Sequence, residues 1–548
     1  MTCGVDRLLS PNGFIKQGHD IDMRWLPVLP AETGEEFSRE GQPGDAPAGE
    51  GLLSEGACDE HSVRADVEAA AGAGIDRRVY FEVFGCQMNK LDAELMLGVL
   101  NENGYQLTDH PSSAGVILYN TCAIREQAEN RFFSKLGHLK KLKGERPDLV
   151  IGVLGCMAQK DQQKIFQRAP FVDLIVGPGQ LQQVPDLIEQ ARRGGEMLVA
   201  VSRARNDGSL VDIKRSHETF DPLRDPTMRP TPFQAYLRIQ IGCDKFCTYC
   251  VVPMTRGPEQ GRPPAEILQE ARLLAEQGCL EITLLGQTVN SYRYQGEDQQ
   301  WRLADLLEQL HEIEGIRRIK FVTSYPRDMD ERLLETVRDL PGCSPYLHVP
   351  LQSGSDAVLE RMRRGYSVDD YRQMMERIDR VLPEAAVASD FIVGFCGETE
   401  EEFQMSVEAL REFRFKNSFI FKYSEREGTM ANRQMPDDVP YDVKQRRNNL
   451  LLEIQNEISE QENQRFVGST VEVLVEGQSK KSVKEDEQGP VIQLVGRTPC
   501  DRIVVFDGTQ RQIGQILPVT VYDTKPHTLL GLVATEHVGP ELYLLGSP

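Results

Sequence analysis

The sequence predicts an α/β protein with three folded parts: an N-terminal open parallel-sheet α/β domain, a central partial (β/α)6 barrel and a C-terminal small all-β, OB-like barrel. Three observations support this. Strand-like and helix-like segments alternate from Arg77, a second alternation begins after residue 232, and five short β-rich runs follow Gly468. Alternating segments indicate parallel sheets covered by helices, whereas successive short strands indicate a barrel or sandwich.

The chain has 548 residues, enough for about three domains of roughly 150 residues each. The first part is rich in Gly, Pro, Glu and Ser, so we expect a disordered acidic extension that cannot bury a core. Residues 1–74 hold 14 Asp and Glu against 5 Lys and Arg and so supply −9 of the net charge of −22. The predicted boundaries are 1–75 for the extension, 76–200 for the first domain, 201–232 for a linker, 233–463 for the central barrel, 464–538 for the C-terminal barrel and 539–548 for a tail.

The chain has no apolar run near the ~20 residues that cross a bilayer, and its N-terminus lacks the apolar segment of a secretory signal. We therefore expect a cytoplasmic protein without membrane contact. Twelve cysteines in such a chain favour metal binding or catalysis over disulfide bonds.

The first domain places a cysteine after each of three strand-like runs. RVYFEVF leads to Cys86, VILYN to Cys122 and DLVIGVL to Cys156. Because sites in open α/β sheets form beyond the carboxyl ends of strands, we expect these cysteines to converge. Two interpretations remain: a ligand set for a metal cluster, or three buried thiols, since free cysteine is commonly buried.

A second set of three cysteines lies in one short loop. Cys243, Cys247 and Cys250 can hold three corners of a four-iron cluster and leave the fourth iron open, which is typical of a reaction site. A structural zinc site would need a fourth ligand, and the next cysteine is Cys279.

The central part contains six β-rich runs, too few for a closed eight-stranded barrel. They are AYLRIQI, LEITLLG, RIKFVTS, YLHVPL, AVASDFIVGF and SFIFKYS. The first run leads into the Cys243 loop, which places the three cysteines at the carboxyl face of the barrel. The segment VKQRRNNLLLEIQNEISEQENQRF predicts a long helix that connects this barrel to the five C-terminal strands, a fold often used to bind oligonucleotides.

The segments FGCQMN, YNTCAIRE, GVLGCMAQ, GCDKFCTYCVVPMTRG, GQTVNSY, HVPLQSGS and SDFIVGFCGETEEEF together resemble the methylthiotransferases of the radical S-adenosylmethionine (SAM) group. The resemblance covers roughly residues 77–540. FGCQMN and YLRIQIGCDKFCTYCVVPMTRGPE are most similar to the MiaB-type branch, which modifies tRNA. The C-terminal part resembles a TRAM domain, which contacts tRNA in this family.

The resemblance implies a transferase that adds a methylthio group to C2 of N6-isopentenyladenosine at position 37, beside the tRNA anticodon. SAM would serve both as methyl donor and as radical source. The alternative substrates within the same family are threonylcarbamoyl-adenosine in tRNA and a ribosomal-protein side chain. The implied partners are the tRNA anticodon loop and a flavodoxin- or ferredoxin-like reductant protein, and we expect a monomer.

The resemblance also implies residue roles. Cys243, Cys247 and Cys250 would hold the radical-SAM [4Fe-4S] cluster, and Cys86, Cys122 and Cys156 an auxiliary [4Fe-4S] cluster. Tyr249 would contact the adenine of SAM. Short polar side chains after the barrel strands would either contact SAM or cap the following helices: Gln287, Asn290, Gln352, Ser353 and Asp390. The other cysteines match no ligand position of the family: Cys3, Cys58, Cys279, Cys343, Cys396 and Cys500.

The C-terminal part is not basic as a whole, since residues 466–538 hold 7 Lys and Arg against 9 Asp and Glu. An RNA-binding surface there would need a local cluster of basic residues. The residues that would have to cluster are Lys480, Lys481, Lys484, Arg497 and Arg502. A second candidate is the HLKKLKGERP segment, whose lysines also fit a solvated helix end: Lys140, Lys141 and Lys143.

Overall fold

The computed structural model describes residues 76–124, 126–194, 197–201, 226–229, 231–485 and 489–534. The predicted extension over residues 1–75 and the predicted tail over residues 539–548 lie outside this part of the chain, as do Cys3, Cys58 and most of the predicted linker.

The first domain is a six-stranded sheet in the order β2-β1-β3-β4-β5-β6, and every neighbouring pair is parallel. The predicted open parallel sheet is therefore confirmed. Its strands are β1 Arg78–Val83, β2 Gln106–Leu107, β3 Val116–Thr121, β4 Val150–Gly155, β5 Leu174–Val176 and β6 Leu198–Ala200. Its helices are α1 Gln87–Glu102, α2 Glu126–Glu145, α3 Cys156–Lys160, α4 Gln162–Arg168 and α5 Val184–Arg192. Strands β3 and β4 are buried along their whole length, as expected for a parallel sheet covered on both faces.

The central domain holds six parallel strands in two sheets, ordered β13-β10-β7 and β14-β15-β16, with a parallel bridge between Ile319 and Cys343 beside them. The predicted partial barrel is confirmed. Its strands are β7 Gln234–Arg238, β10 Glu281–Leu285, β13 Arg318–Phe321, β14 Tyr346–His348, β15 Ala386–Val393 and β16 Asn417–Lys422. Two small ribbons are formed by β8 Gln240–Ile241 with β9 Gln260–Gly261 and by β11 Arg293–Gln295 with β12 Gln300–Arg302.

The helices of this domain are α6 Val252–Thr255, α7 Pro264–Glu276, α8 Leu303–His311, α9 Glu331–Asp339, α10 Asp356–Arg361, α11 Val368–Val381, α12 Glu400–Phe413 and α13 Met430–Gln434. Short 3-10 turns occur at Pro111–Ser113, Leu181–Gln183, Pro226–Met228, Val289–Ser291, Pro326–Asp328 and Gln510–Gln512.

The long helix predicted after the barrel is confirmed as α14 Tyr441–Gln464. It leads to a closed five-stranded barrel in the order β17-β18-β19-β21-β20. The strands are β17 Thr470–Gln478, β18 Ile492–Arg497, β19 Ile503–Gly508, β20 Ile516–Lys525 and β21 Thr528–Val533, and α15 Lys480–Lys484 follows the first of them. The predicted C-terminal barrel is confirmed.

Helix α1 of the first domain packs against the central barrel. Met88 and Leu91 lie in one buried apolar cluster with Tyr236, Leu285 and Val322, which belong to or directly follow three barrel strands. Burial of side chains this size is worth about 1.5–3 kcal/mol each. The contact holds the start of α1, where Cys86 lies, beside the barrel.

The C-terminal barrel covers the amino ends of the central strands through buried charges. Asp501 accepts from Lys320 at 3.3 Å and from Arg497 at 3.0 Å. Arg318, the first residue of β13, pairs with Glu472 of β17 at 3.2 Å and with Glu281, the first residue of β10, at 3.4 Å. Because these groups lie at the end opposite the cysteine loop, the C-terminal barrel leaves the carboxyl face of the central barrel open.

Candidate active site

The loop that carries Cys243, Cys247 and Cys250 follows β8 and folds back on itself. Cys243 donates its backbone N–H to the Gly257 carbonyl at 3.2 Å, and Cys250 donates to the Cys247 carbonyl at 3.1 Å. Gly242 has a φ of 76°, and a Cβ there would lie 1.9 Å from the Pro258 oxygen. Only glycine fits this close approach of two backbones.

The thiols of this loop lie close enough to affect one another. Burial raises the pKa of Cys243 to about 11, and burial together with the neighbouring Cys247 raises the pKa of Cys250 to about 12. All three thiols are free of disulfide bonds. With these raised pKa values, the Cys243 and Cys250 thiols are protonated in the absence of metal, so they must release protons when they bind iron as thiolates.

Cys86, Cys122 and Cys156 come together at the carboxyl edge of the first sheet. Cys122 hydrogen-bonds to Cys86, and this bond, with burial and the proximity of Cys156, raises the pKa of Cys122 well above its usual range. Cys86 lies immediately before α1, Cys122 directly follows β3, and Cys156 is the first residue of α3. Neighbouring parallel strands therefore place three residues that are distant in sequence at one point.

Two asparagines join the start of α1 to the end of β3. Asn89 Nδ2 donates to Asn120 Oδ1 at 3.1 Å and to the Thr121 carbonyl at 3.0 Å, and Asn120 Nδ2 donates to the Asn89 carbonyl at 2.9 Å. Gly155, with a φ of 94°, leaves room for this pair, since a Cβ there would lie 2.4 Å from Asn120 Oδ1. This network fixes the spacing of Cys86 and Cys122, which with Cys156 form what we call the second cysteine group.

The two cysteine groups face one domain junction. Cys156 packs with Ala123 and with Val251, the residue after Cys250. Burial raises the pKa of Cys156, and the guanidinium of Arg256, which hydrogen-bonds to this thiol, offsets part of that rise. Arg256 follows Cys250 in the loop of Cys243, Cys247 and Cys250, which we call the first cysteine group. It therefore connects this group directly to the second.

The donor set of each group, three cysteine thiols, fits an iron–sulfur cluster. Within the ranges that the structure covers, no three His, Cys, Asp or Glu side chains lie close enough to share one metal ion. Three cysteines held together, none of them in a disulfide bond, match the thiolate ligands that iron–sulfur clusters use.

Comparison with known proteins places this site in a family. Residues 78–177 match the family described as Uncharacterized protein family UPF0004, residues 237–410 the Radical SAM superfamily and residues 464–534 the TRAM domain. A tRNA-2-methylthio-N(6)-dimethylallyladenosine synthase from Rhodopirellula baltica is 62% identical over 84% of this chain and 96% of its own length. The chain belongs to the tRNA-2-methylthio-N(6)-dimethylallyladenosine synthase family.

A synthase of the same name from Bacillus licheniformis is 41% identical over 86% of this chain and 88% of its own length. Among solved structures, the radical SAM methyltransferase TsrM from Kitasatospora setae is similar, with 14% identity, a TM-score of 0.46 and coverage of 65% of this chain and 74% of that one. Membership of the Radical SAM superfamily implies a [4Fe-4S] cluster and SAM for this synthase family member.

Three of the residues predicted to contact SAM lie at the carboxyl face with a ring or an oxygen that a ligand could contact: Tyr249, Gln287 and Gln352. The Tyr249 ring meets Phe395 edge to face at 6.3 Å, and its hydroxyl accepts from Arg364 at 3.4 Å. Gln287 Oε1 and Gln352 Oε1 are buried without a hydrogen-bond partner among the described residues. Because a buried acceptor without a donor is costly, both oxygens are suited to accept a bond from a ligand.

Two other predicted SAM contacts have protein partners instead. Asn290 donates to the Tyr325 carbonyl at 2.8 Å and accepts from the Tyr325 N–H at 2.7 Å. Ser353 is only 1% exposed and lies 3.3 Å from the Ser406 hydroxyl. These bonds favour a role in holding the loops. The helix cap expected nearby is made by Ser355, which accepts from the Val358 N–H.

Asp390 lies on β15 and forms a pair that sequence reasoning missed. Its Oδ1 lies 2.9 Å from His348 Nε2 on the neighbouring strand β14, and the His348 ring meets Phe419 edge to face. His348 is the first residue of the HVPLQSGS segment, so the motif contained the signal.

The predicted basic patch is correct only in part. Arg497 is buried and bonded to Asp501, and Arg502 donates to Asn463, so neither joins a patch for RNA. The three remaining residues lie exposed on α15, and no described acidic residue pairs with them: Lys480, Lys481 and Lys484. In the second candidate segment, Lys143 forms an ion pair with Asp173 at 2.8 Å, while Lys140 and Lys141 are exposed.

No helix of the described ranges is long and apolar enough to span a membrane.

Proposed function

We propose that this chain replaces the C2 hydrogen of N6-dimethylallyladenosine in tRNA by a methylthio group, at position 37 beside the anticodon. The observation that carries the proposal is the 62% identity to a synthase named for this product. The position of both cysteine groups at one domain junction supports it, because a single base can then reach both.

Each cysteine group is assigned one [4Fe-4S] cluster in this proposal. Cys243, Cys247 and Cys250 would hold the cluster that binds SAM, and Cys86, Cys122 and Cys156 would hold the second cluster. When bound, the first cluster would supply the electron that cleaves SAM, and the second would supply an open iron for the sulfur that SAM methylates. Support comes from the three thiols of each group, none of which is in a disulfide bond, and from their mutual proximity.

The protein's own side chains bind and orient the reactants. Gln287 and Gln352 would accept bonds from SAM with their unpartnered oxygens, and Tyr249 would place its ring beside the adenine. Arg256 holds Cys156 towards the barrel, where Cys156 packs against Val251.

The tRNA would approach the carboxyl face with its anticodon loop, whose single-stranded bases can be turned out of their stack. The exposed lysines of α15 would contact its phosphates. A flavodoxin- or ferredoxin-like protein as reductant, a monomeric state and a cytoplasmic location remain predictions.

The proposal is tested by incubating the reconstituted full-length protein with SAM, dithionite and tRNA that carries N6-dimethylallyladenosine, followed by mass spectrometry of the nucleosides. We expect conversion of that nucleoside to its 2-methylthio form. A parallel reaction uses tRNA that carries threonylcarbamoyl-adenosine, and another uses ribosomal protein. Modification of either of these in place of N6-dimethylallyladenosine would reject the proposed substrate.

A further inference from the structure

Arg364 is a buried cation at the first cysteine group. It follows α10, is 7% exposed, and its Nη1 donates to Cys247 Sγ at 3.1 Å. Its Nε donates to the Tyr366 hydroxyl at 2.8 Å, and its Nη2 donates to the Pro350 carbonyl at 3.3 Å. The guanidinium also lies over the Tyr366 ring, 5.2 Å from its centre.

No carboxylate of the described residues forms an ion pair with Arg364, although most other buried arginines of the barrel have one. Arg256 pairs with Asp92, Arg262 with Glu270 and Arg318 with Glu281. A buried charge is costly unless it is paired. Of the acceptors that Arg364 reaches, Cys247 is the one that carries negative charge when it ligates iron. The missing counter-charge of Arg364 is therefore a thiolate.

The guanidinium has little room for another role. Four of its N–H directions point to Cys247, Tyr249, Tyr366 and the Pro350 carbonyl. A bidentate bond to a carboxylate needs two parallel N–H groups on one edge. The N–H groups of Arg364 that could form such a pair already donate to the Cys247 sulfur, to tyrosine hydroxyls and to the Pro350 carbonyl. The geometry therefore favours contact with Cys247, the cluster ligand, over contact with the carboxylate of SAM.

We infer that Arg364 is a positioning residue that fixes Cys247 and raises the reduction potential of the iron–sulfur cluster held there. This inference rests on the proposed function. Reduction adds one electron, taken from a one-electron donor such as dithionite or the reductant protein, and neither forms nor breaks a bond. The reduced state is more negative by one charge, so a fixed cation donating to the thiolate stabilises it more than the oxidised state.

The test measures the midpoint potential of this cluster in the full-length chain by a redox titration followed by electron paramagnetic resonance. The background carries Ala at Cys86, Cys122 and Cys156, so that one cluster gives the signal. Arg364→Gln removes the charge, and Arg364→Lys keeps the charge but loses the planar fork. Arg363→Gln is the matched control, since Arg363 is the exposed neighbour and makes no described side-chain contact.

We expect Arg364→Gln to lower the reduced-to-oxidised ratio at a fixed potential by about tenfold, the size of a charge-assisted hydrogen bond, which is a shift of about 59 mV. Arg364→Lys should show a smaller decrease, and Arg363→Gln none. A potential for Arg364→Gln equal to that of Arg363→Gln would overturn the inference. If Arg364→Gln fails to take up iron, Arg364→Lys decides: a potential equal to the control overturns the inference.

The failure of the inference and that of the proposed function are distinguishable. If the background chain with intact Arg364 binds no four-iron cluster, the assignment of Cys243, Cys247 and Cys250 as ligands is wrong. If the cluster forms and its potential is insensitive to Arg364, only the role of Arg364 is wrong.

Discussion

Arg256 Nη2 donates to Asp92 Oδ2 at 2.6 Å, across 164 residues of chain. Asp92 lies on α1, which begins directly after Cys86, and Arg256 follows Cys250 in the cysteine loop. The same carboxylate lies 3.5 Å from Arg238 of β7. Because Arg256 also bonds to Cys156, this buried contact sets the position of the first domain's cysteines relative to those of the barrel.

Asp92→Asn tests this contact. The change keeps the shape of the side chain but removes the charge that Arg256 and Arg238 share. We expect the free energy of unfolding to fall by about 3 kcal/mol, because an uncompensated buried charge remains. Denaturant unfolding followed by circular dichroism measures the loss. Asp186→Asn, at an exposed position of α5, is the control, and an equal effect of both changes would contradict the account.

The lysines of α15 predict the salt dependence of tRNA binding. Replacement of Lys480, Lys481 and Lys484 by Ala removes three phosphate contacts, so the plot of log affinity against log salt should become shallower by about 2. Fluorescence anisotropy with labelled tRNA at several salt concentrations gives the slope. The double variant of Lys140 and Lys141 serves for comparison. If that variant changes the slope and the α15 variant does not, the RNA surface lies on the first domain.

Asp501 predicts a pH dependence of stability. Burial alone would raise the pKa of Asp501, but Arg497, Lys416 and Lys320 outweigh it and hold the pKa well below its usual range. The pKa of the Asp501 carboxyl is therefore lower in the folded chain than in the unfolded chain. Its contribution to stability is present above the unfolded pKa of 3.8 and is lost as the pH falls towards the folded pKa. For Lys416, burial outweighs the attraction of Asp501 and lowers the pKa to about 8.

Asp501→Asn should lower the free energy of unfolding by about 3 kcal/mol at pH 7, and the difference from the unaltered chain should shrink below pH 3.8. Urea unfolding of the metal-free chain at a series of pH values measures both effects. Asp507→Asn, at an exposed position of β19, is the control. A difference that stays constant down to low pH would show that Asp501 does not stabilise the domain contact as a carboxylate.

The order of the elements could be predicted from the sequence because most strands are long and apolar. Strands β2 and β6 were missed, since runs of two and three residues at the edges of the sheet carry no pattern. The convergence of Cys86, Cys122 and Cys156 followed from one rule, that neighbouring parallel strands end at the same edge.

The partners of the cysteines could not be predicted in the same way. Arg364 is 117 residues from Cys247, and in the sequence it is one of two adjacent arginines, of which one is exposed and the other buried. Arg256 lies within the GCDKFCTYCVVPMTRG segment, but its partner Asp92 lies in another domain. A charged residue in sequence looks solvated until its tertiary contact is known, which is also why Arg497 was expected in an RNA surface.

The most direct test of the central claim is the iron and acid-labile sulfide content of four anaerobically reconstituted full-length chains: the unaltered chain, a variant of each cysteine group and a control variant. The unaltered chain should hold about eight irons, and a chain with Ala at either cysteine group should hold about four. Cys343→Ala, which removes a buried thiol away from both groups, should retain about eight. Fewer than about five irons in the unaltered chain, or complete loss of iron when only one group is replaced, would contradict two independent clusters.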